Sequence, residues 1–130
     1  MTKIEISIPF LLPSTNELLR KYRHHQAYRK LLWTVMWAIK ASCDIPEGRP
    51  MKRRRVTVVA HVRKRLDDDN FQGGLKPLFD ALQKLNLIRT DHPRWIDKDA
   101  RQRLIREKDA GDPWTDVTIE PAGKEAADVD

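Results

Sequence analysis

Three consecutive carboxylates, Asp67, Asp68 and Asp69, are the residues of this chain whose types and spacing could do chemistry. They repel one another, so folding alone gives little reason to place them directly after an apolar, strand-like segment. On an extended chain Asp67 and Asp69 point to the same side, and Asp68 points away. Because Mg²⁺ takes oxygen ligands and keeps several waters, the first and third carboxylates could bind this ion together.

Asp91 is a candidate third carboxylate. Placed against Asp67 and Asp69, it would complete an acidic pocket beside a basic surface, the arrangement that metal-assisted phosphodiester cleavage requires. The consecutive aspartates also have a second interpretation, in which they cap a helix and stay in solvent, because aspartate is favoured at helix N-termini. The spacing alone leaves both interpretations open.

The charge of the chain is strongly asymmetric. Its 25 Lys and Arg residues and 19 Asp and Glu residues give a net charge of +6. Residues 107–130 hold eight acidic residues and two lysines, a net charge of −6, so residues 1–106 carry +12. A body this basic favours a polyanionic partner, since neutralising phosphates releases counterions. The only cysteine, Cys43, excludes an intramolecular disulfide and a cysteine-based zinc site, so oxygen or histidine must bind any metal.

The strands and helices that must position these residues can be predicted from the sequence pattern. Together they indicate a single α/β (α+β) domain with a mixed sheet of about four to five strands and two main helices. An apolar, β-branched run predicts a central strand at residues 56–62, and alternating isoleucines predict a first strand at residues 3–9. Residues 102–108 and 114–120 are predicted to form a hairpin, and residues 87–91 a short extended segment.

The two main helices are predicted from apolar residues at three-four spacing, over residues 22–40 and 76–85. Trp33 and Trp37 widen the apolar face of the first helix, so we expect them to pack in the core, with a subunit interface as the alternative. Asn16 lies in a predicted loop, where asparagine favours a turn or a cap.

The domain is expected to span residues 1–120, followed by an acidic tail at residues 121–130 that we expect to be disordered. The sequence contains no run of about 18 apolar residues and lacks the pattern of a secretory signal. We therefore expect a cytoplasmic protein that does not contact a membrane.

The central motifs resemble those of the RusA family of phage and prophage Holliday junction resolvases. That family carries an Asp-x-Asp-Asn motif, a lysine before a Leu-x-Asp-Ala-Leu type helix, and a further aspartate after the helix. A Pro-Ser-x-Asn loop precedes them. The matching residues here are Asp67, Asp69 and Asn70, then Lys76 and Leu78 to Leu82, then Asp91, with Pro13, Ser14 and Asn16 as the loop.

The resemblance implies that Asp67, Asp69 and Asp91 are metal-binding catalytic carboxylates and that Lys76 contacts the scissile phosphate or stabilises charge in the transition state. Two features depart from the family. The stretch before the lysine is longer, around Gly73 and Gly74, and a single aspartate follows the helix where the family commonly has two. Asp80 matches a helical family position at which we expect a structural hydrogen bond.

The activity that the resemblance implies is Mg²⁺-dependent hydrolysis of a four-way DNA junction, with Mn²⁺ able to substitute and no organic cofactor. Two symmetric cuts imply a homodimer, and the family implies a phage or prophage protein in the cytoplasm of a bacterial host. Two alternatives stay open: a non-catalytic DNA-binding or regulatory protein, and a less selective branched-DNA or flap nuclease. The DNA-binding residues are predicted to be Asn16, Arg23, Arg29, Lys30, Arg63, Lys64, Arg65 and Asn70.

Overall fold

The computed structural model of the chain describes residues 3–106 and 111–122. Within these residues the protein is one α+β unit with four strands in one sheet, which confirms the predicted fold class. The elements, in chain order, are β1 (Ile4–Ile8), α1 (Thr15–Lys21), α2 (His25–Ser42), β2 (Arg54–Val62), α3 (Asp68–Gly73), α4 (Lys76–Lys84), β3 (Ile96–Leu104) and β4 (Trp114–Pro121).

The sheet has the strand order β1-β4-β2-β3, so β2 lies inside the sheet as predicted. It pairs in parallel with β3 and antiparallel with β4, and β4 pairs antiparallel with β1. Val56, Val58, Ala60 and Val62 are buried, and the residues between them are less so. The face of β2 that carries these four small apolar residues therefore meets the core, while Thr57, Val59 and His61 lie on the other face.

The predicted hairpin is wrong, because β2 lies between β3 and β4. β3 begins at Ile96, well before the predicted start at residue 102, and residues 107 and 108 lie outside the described residues. Asp97, Lys98, Asp99 and Arg101 give β3 no apolar alternation. Charged residues are typical of an edge strand, where they oppose further pairing, and they also hide the strand from a hydrophobic pattern.

The sequence prediction missed two short helices. α1 begins at Ser14, whose hydroxyl accepts from the Glu17 backbone N–H while the Glu17 side chain accepts from the Ser14 N–H. This capping box places Asn16 inside α1, so its prediction as a loop or cap residue is wrong. α3 begins where an extended chain was predicted, with Asp67 as its N-cap.

α2 and α4 pack against one face of the sheet. α2 buries Leu32, Val35 and Ile39, which recur at three-four spacing along one side of the helix. Trp33 and Trp37 lie on the other side and are 61% and 71% exposed. The prediction that they pack in the core is therefore wrong.

A left-handed residue ends α4 and redirects the chain towards β3. Asn86 has φ +62°, its N–H donates to the Gln83 carbonyl at 3.2 Å, and the Leu87 N–H donates to the Leu82 carbonyl at 3.0 Å. This Schellman pattern satisfies the last carbonyls of the helix. Leu87 and Ile88 are then fully buried in a bent segment, so the predicted extended segment at residues 87–91 is wrong.

Two further sequence predictions concern the predicted tail and the membrane. β4 includes Pro121, one residue into the predicted tail, and residues 123–130 lie outside the described part of the chain. No helix in the described ranges has the length and apolar character needed to cross a membrane.

Candidate active site

Asp67 is held at the start of α3, just beyond the end of β2. Its Oδ2 accepts a hydrogen bond from the Asn70 N–H at 3.1 Å. The preceding residue, Leu66, donates its N–H to Gln102 Oε1 and accepts from Gln102 Nε2, each at 2.9 Å. Because Gln102 belongs to β3, the two parallel strands together fix where the acidic segment begins.

Asp68 and Asp69 form the exposed first turn of α3. Asp68 Oδ1 accepts from Gln72 Nε2 at 3.3 Å, one turn further along the helix. Asp67 is the extended N-cap, whereas Asp69 lies in the first turn of the helix. The continuous extended chain from which the same-side pairing of Asp67 and Asp69 was predicted is therefore absent, and the pairing itself stays a prediction.

The first turn of α1 is tied to α3 by hydrogen bonds. The Asn16 N–H donates to Asn70 Oδ1 at 3.0 Å, and Thr15 Oγ1 donates to the Asn70 carbonyl at 3.1 Å. Two motifs that are 54 residues apart in the sequence thus meet through Asn70. The Asn16 and Asn70 side chains belong to one small surface, although the Asn70 amide oxygen is already occupied.

Gly73 and Gly74 allow this close approach. A Cβ at Gly74 would lie 1.8 Å from the Pro13 carbonyl oxygen, and one at Gly73 would lie 2.2 Å from Thr15 Oγ1. Neither position has room for a side chain unless the loop moves. The Gly-Gly stretch, a departure from the resembled family, thus has a packing reason in this chain.

Lys76, the first residue of α4, is held by two neighbours. Its Nζ lies 3.0 Å from Asp80 Oδ2 and 5.0 Å from the centroid of the Tyr28 ring. Tyr28 also donates its hydroxyl hydrogen to Asp80 Oδ2. Burial raises the pKa of Tyr28, and the hydrogen bond to Asp80 raises it further. Asp80 thus makes structural hydrogen bonds, as predicted, while the Lys76 side chain stays 64% exposed.

A pocket of about 220 Å³ brings Lys76 together with Asp91. Gln72 and Lys98 also line it. Lys98 lies in β3 with its Nζ 4.8 Å from the Phe79 ring centroid, and burial lowers its pKa while Asp91 opposes that shift. Sequence reasoning missed Lys98, because the face of the sheet on which it lies follows only from the register that pairs it with buried Val56.

The four predicted catalytic residues are only partly assembled. Lys76 and Asp91 share the pocket, whereas Asp67 and Asp69 do not line it. In the ranges 3–106 and 111–122, no three His, Cys, Asp or Glu side chains are close enough together to hold a metal ion. The predicted three-carboxylate Mg²⁺ site is therefore not preformed here. Asp67, Asp69 and Asp91 are all exposed, and exposed side chains change rotamer rapidly, although Asp67 would have to give up its capping hydrogen bond with the Asn70 N–H.

The predicted DNA-binding cations lie on several surfaces. Arg23, Arg29 and Lys30 are exposed around the start of α2. Lys30 also lines a groove of about 730 Å³ together with Lys64 from the end of β2. Arg63 instead donates a hydrogen bond to the Gly111 carbonyl at 2.6 Å. The last of these cations, Arg65, lines a separate pocket behind the sheet.

No family model matches the chain, and a search of curated proteins returns no match. The resemblance to junction resolvases therefore rests on the quoted motif residues.

Proposed function

We propose that the chain is a RusA-like, Mg²⁺-dependent endodeoxyribonuclease that resolves four-way DNA junctions in recombination or repair. One observation carries the proposal: the separate pieces of the motif converge around α3. Asn16 in the first turn of α1 donates its N–H to Asn70, Asp67 caps the start of α3, and Lys76 and Asp91 meet in the pocket at the far end of α3. Folding alone does not require Lys76 and Asp91 to share a pocket beside α3.

Lys76 has the clearest chemical role in this proposal. Its ammonium group is fixed by Asp80 and Tyr28, yet it is largely exposed. It can therefore contact a phosphate without rearranging. A preorganised cation beside the reacting group stabilises negative charge that develops in the transition state. Lys98 adds a second positive charge to the same pocket.

The carboxylates would supply the oxygen ligands for Mg²⁺. This ion keeps several waters and is commonly held by one or two carboxylates together with substrate phosphates, so it does not need a closed protein cage. When bound, it supplies positive charge and lowers the pKa of a coordinated water. Asp67, Asp69 and Asp91 are exposed to solvent on this side of the chain, so DNA would have to bring ion and carboxylates together.

The proposal includes a homodimer on branched DNA. Two cuts at symmetric positions call for two active sites related by a two-fold axis. Trp33 and Trp37 supply an exposed apolar surface on α2. Tryptophan is enriched at interface hot spots, which makes this surface the candidate dimer contact.

A second candidate function, a non-catalytic DNA-binding or regulatory protein, is favoured by one observation. Asp67 caps α3, and the three predicted ligands do not form a metal site in the described residues. Metal dependence separates the two functions. A nuclease cuts a labelled junction in Mg²⁺ or Mn²⁺ and only binds it in chelator, whereas a binding protein holds DNA equally well in both and cuts nothing.

A further inference from the structure

The face of the sheet opposite the helices carries a pair of stacked rings. His61 in β2 and Trp114 in β4 are register partners, with ring centroids 4.0 Å apart and planes 10° from parallel. Asp116 Oδ2 accepts from Trp114 Nε1 at 3.0 Å and lies 2.9 Å from His61 Nε2. One carboxylate therefore orients both rings, and the two stacked rings form a flat aromatic platform on this face of the sheet.

Three arginines surround this platform. Arg65, Arg103 and Arg106 line a pocket of about 570 Å³ together with His61 and Trp114. All three are exposed, and none of their guanidinium groups makes a hydrogen bond or ion pair with another residue in 3–106 or 111–122.

A neighbouring arginine on the same strand is different. Arg101 lies on the same face of β3 as Arg103, but its Nη2 is 3.0 Å from Asp99 Oδ2. Like charges repel, so grouping three guanidinium groups that no carboxylate in residues 3–106 or 111–122 pairs with costs free energy unless an anion binds among them.

We propose that this pocket binds an unpaired nucleic-acid strand, with the guanidinium groups on successive phosphates and one base stacked against Trp114. Arginines that follow the backbone and an aromatic ring that receives a base are the two features that single-strand binding requires. A duplex offers the phosphates but keeps its bases stacked inside, so the aromatic platform selects for unpaired nucleotides.

The pocket lies next to the start of the acidic segment. Arg65 precedes Leu66, Arg103 follows Gln102, and Leu66 and Gln102 are joined by two hydrogen bonds. A strand held by these arginines leaves the pocket beside Asp67. Unpaired nucleotides at a branch point would fit this path, and to that extent the inference rests on the proposed function. Binding itself requires no metal and no cleavage.

The test is equilibrium binding of a fluorescein-labelled 12-nucleotide oligothymidylate in EDTA. Fluorescence anisotropy measures the dissociation constant at a series of salt concentrations. The variants are Arg103→Ala with Arg106→Ala, and Trp114→Phe and Trp114→Leu, each checked by circular dichroism. Arg101→Ala is the matched control, since it removes one charge from the same strand outside the pocket. Removal of two phosphate contacts should weaken binding at least about tenfold and lower the salt slope by roughly one to two. Trp114→Leu should weaken it at least about fivefold.

Tryptophan fluorescence supplies an independent readout. A base on Trp114 quenches its emission, so oligothymidylate should quench the wild type and should not quench folded Trp114→Phe. Arginine variants that bind as tightly as Arg101→Ala would overturn the proposal, as would full quenching in Trp114→Phe or equal competition by a duplex. Because EDTA blocks metal-dependent cleavage, a chain that binds but never cuts DNA would refute the nuclease proposal and leave this one standing.

Discussion

At the scale of single residues, Asp80 holds two side chains at the candidate site in place. Its Oδ2 accepts from the Tyr28 hydroxyl and from Lys76 Nζ, and the Lys76 amine also lies over the Tyr28 ring. The exposed pair of Lys76 and Asp80 adds little to stability, because solvent screens such pairs to about 1 kcal/mol or less. Its effect is to limit where the amine can be, which matters for chemistry more than for folding.

Lys76→Ala should therefore slow cleavage of junction DNA strongly while lowering the free energy of unfolding by no more than about 1 kcal/mol. Single-turnover cleavage and urea denaturation measure the two effects. Lys84→Ala, an exposed lysine in the last turn of the same helix, is the matched control and should cleave normally. Normal turnover by Lys76→Ala would remove this residue from the mechanism.

Tyr28 gives the fold a measurable response to alkaline pH. Its pKa is raised in the folded protein above its ordinary value of about 10, so the unfolded chain ionises first as the pH rises. The stability that this phenol contributes is complete below about pH 10 and is lost above it. Tyr28→Phe should cost about 1 kcal/mol at neutral pH, and the difference from wild type should shrink above pH 10. Urea titrations at several pH values check this, and a constant difference would contradict it.

At the scale of elements, the acidic turn depends on a close contact between α3 and the loop before α1. That contact exists because Gly74 brings its backbone against the Pro13 carbonyl. The hydrogen bonds from Thr15 and Asn16 to Asn70 then fix the orientation of α3. A substitution at Gly74 should therefore affect both the stability of the protein and the orientation of α3 at the candidate site.

Gly74→Ala should destabilise the protein by about 1–3 kcal/mol, because the added methyl group forces the loop away from α3. Gly48→Ala is the control, since a Cβ there meets nothing within 4 Å; it should be neutral or slightly stabilising. Thermal and chemical denaturation measure both. Equal stability of the two variants would show that the loop at Pro13 can move away from Gly74 without loss of stability.

The sequence predicted those elements whose pattern is local. β2 and α4 follow from β-branched and three-four apolar spacing, and Asn86 was correctly expected to end α4. β3 escaped prediction because an edge strand needs few apolar residues. The Ser14 and Glu17 capping box could have revealed α1. Nothing local could place Lys98 beside Asp91, since that depends on the parallel register of β3 with β2.

At the scale of the whole molecule, the sheet is covered by helices on one face, and α2 turns two tryptophans outward. The proposed dimer would bury Trp33 and Trp37. The double variant Trp33→Ser, Trp37→Ser should weaken dimerisation at least about 30-fold, as expected for interface tryptophans. Light scattering after gel filtration over a range of concentrations measures this.

Leu19→Ser is the matched control for that experiment, because Leu19 is 67% exposed on a different helix. It should leave the dimer intact. A wild-type chain that is monomeric at all concentrations, or a double tryptophan variant that still dimerises normally, would place the subunit contact elsewhere or exclude it.

The most direct test of the central claim is cleavage of a synthetic four-way junction in Mg²⁺, with a flap and a linear duplex of the same sequence in parallel. We predict paired nicks in opposite strands of the junction, no cleavage in EDTA, and an intact duplex. Asp69→Asn should bind the junction and fail to cut it, while Asp44→Asn, the same charge change in a distant loop, should cut normally. Mg²⁺-dependent cutting by pure Asp69→Asn, or binding by the wild type with no cleavage in Mg²⁺ or Mn²⁺, would contradict the account.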